Sequence, residues 1–580
     1  MASLQRVRVR GHSYWRIVES RRVNGKPRPI VVAYLGKPDD LLARLRGSDS
    51  LSLKSLSHGA VAAFYALAQE LDLAGTIDRH LALSGRRIRR RTPDPAPPAP
   101  PLRNDGLSVG QSLLLVAIGR ACHATSKRGF ATWAKTTTLG ELAKVDVERL
   151  TSQHFWDQMD QLPIETIAPI EKELLGRVLE RFDLPVDTLL YDATNFFTFI
   201  ASTNARPELP ARGHNKQKRH DLRQLGVALL CTRQHEVPLW HQLYGGQIPD
   251  AKSFPGALTA LTQRLRELGR DIESMTLVYD KGNVSRANQL LVASSGLHYV
   301  ASVSSANQRA LVDEANSHFQ PVVIDPYAAE EADREVMAYR TRRQVLGAER
   351  TVVVVLSKTL REGQKRGVLQ HVASALRWLE RLSGLLQRGK QRRDPARIQH
   401  DIDAHLRGRQ HLRKVLRVKL ESNQDKLSLS YQFDQDALEL LERDWLGRIV
   451  LVTDRDDWPT DEIVRAYRSQ SHVEAVFAHL KDPVHITLRP QFHWTDQKLH
   501  VHVFTCLLAY LLARLLHLRA RRASGYQHSM ERLIEDLEQV RRARVARQSD
   551  TGKGRWRVTT QLEQCSPDLE ALLKDLGVKE

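Results

Sequence analysis

The hydrophobic pattern of the N-terminal third changes from alternating to helical. Within residues 1–50, apolar and polar residues alternate around a turn at Asn24-Gly25, which predicts a basic β-hairpin unit. Over residues 51–175, apolar residues recur at helical spacing, which predicts a helical domain. A Pro-rich stretch at 92–101 follows a run of arginines and predicts a stiff spacer inside this domain.

The middle of the chain alternates strands with helices. Apolar runs typical of buried strands and amphipathic stretches typical of helices follow in the order β-β-β-α-β-α-β. The predicted elements are strands at 188–194, 225–232, 237–243, 275–280 and 299–303, with helices at 251–268 and 285–294. This order predicts an α/β domain.

After residue 303 the pattern is mixed for a long stretch, residues 304–447. It then predicts a strand at 448–453 and helices at 461–481 and 496–518. We expect these late elements to pack on the earlier strands, so that residues 180–303 and 448–520 form one core. Residues 521–580 are predicted to form a basic helical tail.

The composition indicates a polyanionic partner. Lys and Arg number 87 against 67 Asp and Glu, and the net charge of +20 with a pI near 9.9 indicates nucleic acid or an anionic membrane surface. The best apolar run, Val501 to Leu512, contains His502 and is closed by Arg514, whereas a membrane span needs roughly 20 apolar residues. We therefore predict a buried helix there and no membrane partner, which leaves nucleic acid.

The cysteines and the N-terminus favour a cytoplasmic protein. The four cysteines are far apart and form no Cys-x-x-Cys pair, so neither a disulfide framework nor a zinc ribbon is predicted. They are Cys122, Cys231, Cys506 and Cys565. The N-terminus carries arginines in place of the apolar stretch of a signal peptide. A reducing cytosol fits these features best.

Two aspartates lie in predicted apolar strands within residues 188–303. Asp192 lies in an otherwise apolar strand, where an unpaired buried carboxylate would cost several kcal/mol. Asp280 ends a second apolar strand, just before a turn that contains Gly282. Functional groups of open α/β sheets gather where strand ends meet loops, so the two acids are predicted to share a site. The alternative for either one is a capping or surface aspartate at a strand end.

The predicted helix 461–481 supplies a third acid. Tyr467, Glu474 and Lys481 are spaced seven residues apart, and seven steps of 100° miss two full turns by only about 20°. The three side chains therefore form one stripe, at the edge of the apolar face of the helix. The alternative is an ordinary amphipathic helix with an incidental glutamate.

Three converging carboxylates predict a site for divalent metal ions. At about 4 Å they would repel by roughly 4 kcal/mol per pair at a near-surface dielectric, and cations remove this repulsion. Hard oxygen ligands with open positions suit two Mg²⁺ ions, which can promote in-line displacement at phosphorus, with Mn²⁺ as a substitute. A zinc site built on His472 and His479 is not favoured, because they lie on a different face from Glu474 and lack the HExxH arrangement.

Three sequence blocks surround these acids. They are Tyr191-Asp192-Ala193-Thr194, Tyr279-Asp280-Lys281-Gly282-Asn283 and the helix Tyr467-x6-Glu474-x6-Lys481. The blocks resemble those of bacterial insertion-sequence DDE transposases of the broad IS-four class, whose last block is a Tyr, Arg, Glu, Lys signature on a helix. The stretch from Leu488 to Asp496 and the N-terminal hairpin with Tyr14-Trp15 are also similar. The resemblance spans nearly the whole chain.

The resemblance implies a ribonuclease H-like catalytic core in which Asp192, Asp280 and Glu474 bind metal. It also implies that Tyr467 and Lys481 contact DNA near the scissile phosphate. Residues 304–447 resemble the family's insertion domain, a mixed α/β segment between the last core strand and the Glu-bearing helix.

One position departs from the family pattern. Where the family usually has Arg, three residues after the Tyr, this chain has Gln470. We expect Gln470 still to face DNA, with its contact to a phosphate weakened or supplied from elsewhere.

Further DNA contacts are expected from two basic regions. One is the run His214 to Arg223, where Lys216 and Arg219 are candidates. The other lies in the insertion, where Arg392 and Arg393 are candidates within a larger cluster. Its other members are Arg388, Lys390, Arg397, Arg407, Arg409, Arg413 and Lys414. The alternative for any one of these residues is a solvated helical face.

The function that the resemblance implies is transposition. The helical domain would help to bind the terminal inverted repeats of an insertion sequence, and the core would cleave the ends and join the 3′-OH groups to target DNA. A homodimer in the synaptic complex and a place at the bacterial nucleoid in the cytoplasm are implied as well. The alternatives are a DNA-binding derivative without catalysis and a metal-dependent nuclease without strand transfer.

Overall fold

The structure, a computed structural model, describes most of the chain. The described residues are 2–9, 12–23, 26–37, 51–91, 106–201, 203–215, 217–328, 330, 334–388, 394–423, 426–489, 492–547 and 557–578. The predicted turn at Asn24-Gly25 and the Pro-rich spacer 92–101 lie outside them, as do Lys216, Lys390, Arg392 and Arg393.

The chain divides into two compact units. The first, here called the split unit, comprises Met1–Ala74, Pro97–Gln158 and Leu515–Glu580. The second, here called the central unit, comprises Gly75–Ala96 and Met159–Arg514. All three predicted acids belong to the central unit.

The strands and helices are numbered in chain order. The strands are β1 (Ala2–Val9), β2 (His12–Val23), β3 (Lys26–Gly36), β4 (Leu51–Ser57), β5 (Thr188–Thr198), β6 (Arg223–Thr232), β7 (Pro238–Gly245), β8 (Thr276–Tyr279), β9 (His298–Val303), β10 (Gln320–Val323), β11 (Glu335–Val345), β12 (Ala348–Leu356), β13 (Leu416–Asn423), β14 (Lys426–Phe433), β15 (Arg448–Thr453), β16 (Arg541–Arg547) and β17 (Arg557–Leu562). The helices are α1 (Gly59–Glu70), α2 (Leu73–Arg91), α3 (Val109–Cys122), α4 (Phe130–Ala134), α5 (Leu139–Ala143), α6 (Ser152–Asp160), α7 (Ile164–Arg181), α8 (Asp250–Glu267), α9 (Arg286–Ser295), α10 (Arg309–Ala315), α11 (Lys358–Gln387), α12 (Pro395–Leu406), α13 (Leu412–Val415), α14 (Gln435–Asp444), α15 (Thr460–Arg468), α16 (Gln470–Lys481), α17 (Asp496–Ser524), α18 (Met530–Glu538) and α19 (Pro567–Asp575).

The central unit is built on a large mixed sheet. Among the described residues, nine strands form it in the order β10-β11-β12-β15-β9-β8-β5-β6-β7, and we call it the main sheet. β5, β8 and β9 run parallel, whereas the flanking pairs are antiparallel. Parallel strands need a crossover, which α9 provides between β8 and β9. The predicted order β-β-β-α-β-α-β over residues 188–303 is confirmed.

The mixed stretch 304–447 contains two kinds of structure. Its strands β10, β11 and β12 belong to the main sheet, where β12 pairs with β15. Residues from Val368 to Leu446 form a separate hydrophobic core, and we call this part the helical subdomain. The strands could not be assigned to the sheet from sequence, because a strand's partners are set by tertiary packing.

The predicted helix 461–481 is divided at Ser469. The Ser469 hydroxyl donates to the carbonyl of Ala466 at 2.6 Å, and the amide of His472 donates to the Ser469 carbonyl at 2.8 Å. This i to i+3 amide bond is tighter than the α-helical pattern, so α15 ends at Arg468 and α16 begins at Gln470. The prediction of one continuous helix is wrong at this position.

The split unit joins distant parts of the chain. Among the described residues, β1, β2 and β3 form an antiparallel three-stranded sheet, one strand more than the predicted hairpin. β16 pairs with both β4 and β17, so the prediction of a helical tail over 521–580 is wrong for these two strands. The sequence of β16, rich in Arg and Ala, favours a helix, but strand pairing with β4 overrides that preference.

The most apolar helix is buried. Among the described residues, only α17 is long and apolar enough to cross a membrane, and 89% of its most apolar window lies inside the protein. A core helix passes the same test, and the prediction of a buried helix is confirmed. The four cysteines all lie among the described residues, no disulfide joins them, and three of them are buried.

Candidate active site

The two aspartates follow the last paired residues of two adjacent parallel strands: Asp192 lies within β5, and Asp280 comes directly after β8. β5 and β8 are in register, with Tyr191 opposite Tyr279, so Asp192 and Asp280 follow at the same level of the sheet. The residues before them are buried on both strands, as expected for parallel strands covered on two faces. The structure therefore brings the two predicted acids to the same level of the sheet.

The side chains alternate between the two faces of the sheet. The Tyr191 and Tyr279 rings are fully buried and pack against Phe254 of α8, with ring centroids 5.1 and 5.2 Å away. Because successive residues of a strand point to opposite faces, Asp192 and Asp280 face away from α8. The face that they share is the one on which α15 and α16 lie.

Glu474 of α16 lines a cavity together with Asp192 and Asp280. The cavity has a volume of about 900 Å³. Its polar lining includes Asp192, Asp280, Glu474, Tyr467, Gln470, Lys481, Asp250, Lys281, Asn283 and Arg468. Val473 and Phe477 anchor α16 by burial, while Glu474 remains exposed to the cavity. The predicted stripe of Tyr467, Glu474 and Lys481 faces one cavity even though the helix is divided between them.

A hydroxyl network fixes Asp280. Tyr467 donates to Asp280 Oδ1 at 3.2 Å and to Ser302 Oγ at 2.9 Å, and Ser302 donates to the same carboxylate oxygen at 3.1 Å. Burial and then the nearby Asp280 carboxylate raise the pKa of Tyr467, which keeps it protonated as a donor. Ser302 was not predicted, although a hydroxyl within the apolar strand β9 signals a polar partner.

Lys481 and Gln470 both contact β5. Lys481 Nζ donates to Thr194 Oγ1 at 2.7 Å and lies 5.3 Å from the ring centre of Phe196, within cation–π range. Gln470 Nε2 donates to the backbone carbonyl of Tyr191 at 3.3 Å. Gln470 thus lines the cavity and also links α16 to the strand that carries Asp192.

The pKa of Asp192 is strongly raised. Burial is the largest cause, the backbone amide of Ala193 acts against it, and the charges of Glu474, Asp280 and Asp250 add to it, so that the pKa is about 7. Asp250 was not predicted as a site residue. It follows Pro249 at the start of α8, where an acid is already explained by the helix dipole. Its hydrogen bond from the Tyr244 hydroxyl, at 2.7 Å, could not be foreseen from sequence.

The carboxylate oxygens of Asp192, Asp280 and Glu474 suit a hard divalent cation, although the three side chains do not converge on one point. Carboxylate oxygens are the ligands that Mg²⁺ prefers, and the pKa of Asp192 is raised first by burial and then by neighbouring negative charge, which a cation would neutralise. Within the described ranges, no three His, Cys, Asp or Glu side chains are gathered tightly enough to form a metal site. Mutual repulsion between carboxylates favours such a separation.

The remaining predicted residues lie elsewhere or are undescribed. Arg219 makes two bonds to Asp221, at 2.8 and 2.7 Å, and does not line the cavity. Lys216, Arg392 and Arg393 are outside the described residues. The histidines disfavoured as zinc ligands point elsewhere: His472 Nδ1 bonds to the Arg233 carbonyl, and the His479 ring lies against Tyr510.

The comparisons with known proteins give only distant structural likenesses. No protein-family model matches the chain. No curated protein matches it. It is similar to a piggyBac transposase in a synaptic complex with hairpin DNA, with a TM-score of 0.36 and 10% identity over 82% of this chain and 78% of that one.

Two structures of Mos1 transposase are also similar. One is a paired-end complex with the left transposon end, with a TM-score of 0.15 and 12% identity, and the other is a pre-cleavage transpososome, with 0.15 and 13%. Both alignments cover 37% of this chain and 64% of the Mos1 chain, less than two thirds of its length. At these TM-scores and identities, the likenesses assign neither a fold family nor a function to this chain.

Proposed function

We propose that this protein is a transposase that cleaves DNA at the ends of an insertion sequence and joins the 3′-OH ends to target DNA. One observation carries the proposal: Asp192 and Asp280, at the same level of two adjacent parallel strands, line one cavity with Glu474 of a facing helix. The resemblance of the three surrounding sequence blocks to DDE transposases supports the same reaction. In this proposal the main sheet belongs to a ribonuclease H-like core.

The three carboxylates would hold two Mg²⁺ ions, with Mn²⁺ as a substitute. Such ions activate the attacking oxygen and neutralise the leaving oxygen in an in-line displacement at phosphorus. The hydroxyls of Tyr467 and Ser302 orient the Asp280 carboxylate by donating to one of its oxygens. A carboxylate that is already fixed would lose little conformational freedom on binding a metal ion. This favours a defined position for the ion and for the reacting phosphate beside it.

The cations of the cavity would bind the DNA around the reacting bond. Lys281, Arg468 and Lys481 line the cavity together with the acids. A phosphodiester brings negative charge to a site that already holds four carboxylates, and nearby cations offset the resulting repulsion. In the proposed reaction, water attacks phosphorus and the P–O3′ bond breaks, which frees a 3′-OH. That 3′-OH then attacks a phosphorus atom of the target DNA, where the P–O3′ bond breaks and the target strand leaves with a 3′-OH of its own.

The decisive experiment detects both cleavage and joining. We expect the purified protein, with Mg²⁺ and a plasmid that carries the DNA flanking its coding region, to nick at the terminal inverted repeats. Strand transfer into a second plasmid should follow, and synapsis of two ends makes a homodimer the expected assembly. Cleavage without joined product would identify a nuclease instead, and binding without cleavage would identify a DNA-binding derivative.

Gln470 provides a prediction on DNA affinity. We expect Gln470→Arg to tighten binding to cleavage-site DNA and to let cleavage persist at higher salt. Arg offers a charged, bidentate donor where Gln offers one neutral donor, and the position lines the cavity beside Arg468. Gln470→Met, of similar length but without donor or charge, is the control for loss of the bond to Tyr191. Binding and salt tolerance equal to the wild type in Gln470→Arg would place position 470 outside the DNA contact.

A further inference from the structure

A strongly basic turn lies between α12 and α13 of the helical subdomain. It lines a cavity of about 500 Å³. The charged and polar lining residues are Asp403, Arg407, Arg409, His411, Arg413 and Lys414, and we call residues 407–414 the basic turn. Its backbone is tightly curled, since Gly408 has φ +75° and His411 has φ +62°. A left-handed conformation is unusual for a residue with a side chain, so the surrounding contacts must hold His411 in it.

The charges of the basic turn are not balanced by the protein. Asp403 is the one carboxylate of this lining, and it pairs with Arg413 at 2.8 Å. Within the described part of the chain, Arg407, Arg409 and Lys414 have no carboxylate partner. A concave surface that carries several cations focuses positive potential and raises the local concentration of anions.

Arg409 adds an unsatisfied donor to this excess charge. Its Nη1 atom is buried and finds no hydrogen-bond acceptor among the described residues. A buried donor without a partner costs roughly 1–3 kcal/mol, and more when it is charged. An anion bound at the turn would remove both this cost and the repulsion among the cations.

The neighbouring histidines respond to the same positive field. Burial and then the charge of Lys414 lower the pKa of His411, and burial and then the charge of Arg409 lower the pKa of His405. His405 is also stacked on Trp378, with ring centroids 4.2 Å apart. Both imidazoles are therefore neutral near pH 7, and the positive charge of the region comes from Arg and Lys alone.

A second cavity connects the basic turn with the candidate active site. Its volume is about 530 Å³, and it shares His411 and Lys414 with the cavity of the turn. It also shares Asp280, Lys281 and Tyr467 with the cavity of the three acids. Between these ends the lining combines cations and polar side chains, such as Arg309 and Gln364, with apolar ones such as Leu360.

The middle of this path is lined by cations and an aromatic ring. Arg309 and Lys414 lie over the ring of Trp445, at 5.9 and 5.4 Å from its centre. Arg448 has a structural role, because its guanidinium donates to backbone carbonyls such as that of Glu442 and to the side chain of Asn316. The cations that remain for a ligand are Lys281, Lys414 and Arg309, whose Nε also lies 3.9 Å from the exposed carboxylate of Asp313.

We propose that the basic turn binds backbone phosphates of the same DNA whose scissile phosphodiester lies at the three acids. The proposal rests on the proposed function of that site. A polyanion is favoured over a small anion because the cations form a continuous path of three cavities, each of which shares residues with the next. The turn thus acts as a remote anchor for DNA on the helical subdomain.

The test measures how DNA binding depends on salt in the full-length protein. The probe is a duplex of arbitrary sequence in EDTA, so that no cleavage contributes. Each neutralised phosphate adds about −0.9 to the slope of log K against log salt, so Arg407→Gln/Lys414→Gln should reduce the magnitude of the slope by roughly 2. Both residues are exposed, and the variant should keep the wild-type Tm. The single variant Arg409→Gln should reduce the magnitude of the slope of log K against log salt by about 1.

The matched control removes two charges from the same subdomain. Arg417→Gln/Lys419→Gln alters two exposed cations of β13, which are paired with Asp434 and Glu421 and line neither cavity. We expect its slope to equal that of the wild type. Equal slopes in the turn variant and the wild type, or equal reductions in both double variants, would overturn the proposal. Because this assay needs no catalysis, its outcome is independent of whether the wild type cleaves and joins DNA.

Discussion

Replacing Asp192, Asp280 or Glu474 with the corresponding amide will abolish Mg²⁺-dependent DNA cleavage while DNA binding persists. The amide keeps the shape of the side chain but removes the negative charge that would hold the cation. Loss of one electrostatic contribution of this kind lowers rates by roughly 10²- to 10³-fold or more. Strand nicking by each purified variant, measured in Mg²⁺ and again in Mn²⁺, gives the comparison with the wild type.

The control for these variants is a similar change outside the cavity. Glu273→Gln removes an exposed carboxylate just before β8 and does not touch the cavity lining. It should cleave at the wild-type rate. If any of the three site variants also cleaves at that rate, that residue does not hold the metal, and the remaining acid of the lining, Asp250, becomes the candidate in its place.

We expect the stability of the metal-free protein to depend on pH through the Asp192 carboxyl group. Because the pKa of Asp192 is about 7 in the folded protein and near 3.8 in the unfolded chain, the folded state holds a proton that the unfolded state releases between these values. This one group therefore lowers the free energy of unfolding of the metal-free protein as the pH rises from about 4 to about 7 and changes it little above that. The contribution of this one group is on the order of 4 kcal/mol.

Asp192→Asn isolates this contribution. In EDTA at pH 8 the variant should unfold several degrees above the wild type, and the difference should disappear near pH 4. Thermal unfolding followed between pH 4 and 8 measures both curves. A Tm difference that does not depend on pH would mean that Asp192 does not titrate in this range.

Added Mg²⁺ should stabilise the wild type and have almost no effect on Asp192→Asn. A ligand that binds only the folded state raises its stability, and binding requires ionised carboxylates. We expect Mg²⁺ to raise the Tm of the wild type at pH 8, to raise it less at pH 6, and to leave Asp192→Asn nearly unchanged. Equal metal-induced shifts in both proteins would remove Asp192 from the metal site.

The sequence predicted the acids because their signals are local. Asp192 and Asp280 each interrupt a run of buried apolar residues, and Glu474 belongs to a seven-residue spacing that survives the division at Ser469. Strand and helix periods are properties of neighbouring residues. The order of elements through the middle of the chain was predictable for the same reason.

The parts that the sequence did not predict depend on distant contacts. Asp250 lines the cavity because α8 packs against β5. Ser302 of β9 is hydrogen-bonded to Tyr467 of α15, which is distant in sequence. The strand β12 inserts beside β15, about 100 residues further along the chain, a pairing that no local pattern encodes. The hydrogen bond from Gln470 to Tyr191 belongs to the same class, since a glutamine on a helix carries no mark of its partner.

The pairing of β4 with β16 has a consequence for biosynthesis. Ser55 and Arg541, which are hydrogen-bonded to each other, are 486 residues apart. At about 5–20 residues per second, a ribosome needs roughly 25 to 100 s to make the chain between them. Over that interval β4 has emerged without its partner strand, and an unpaired edge is a template for association with other nascent chains. If translation stops after the central unit, the chain therefore has the strands of the main sheet but carries β4 without its partner β16. This unpaired strand can associate with other chains.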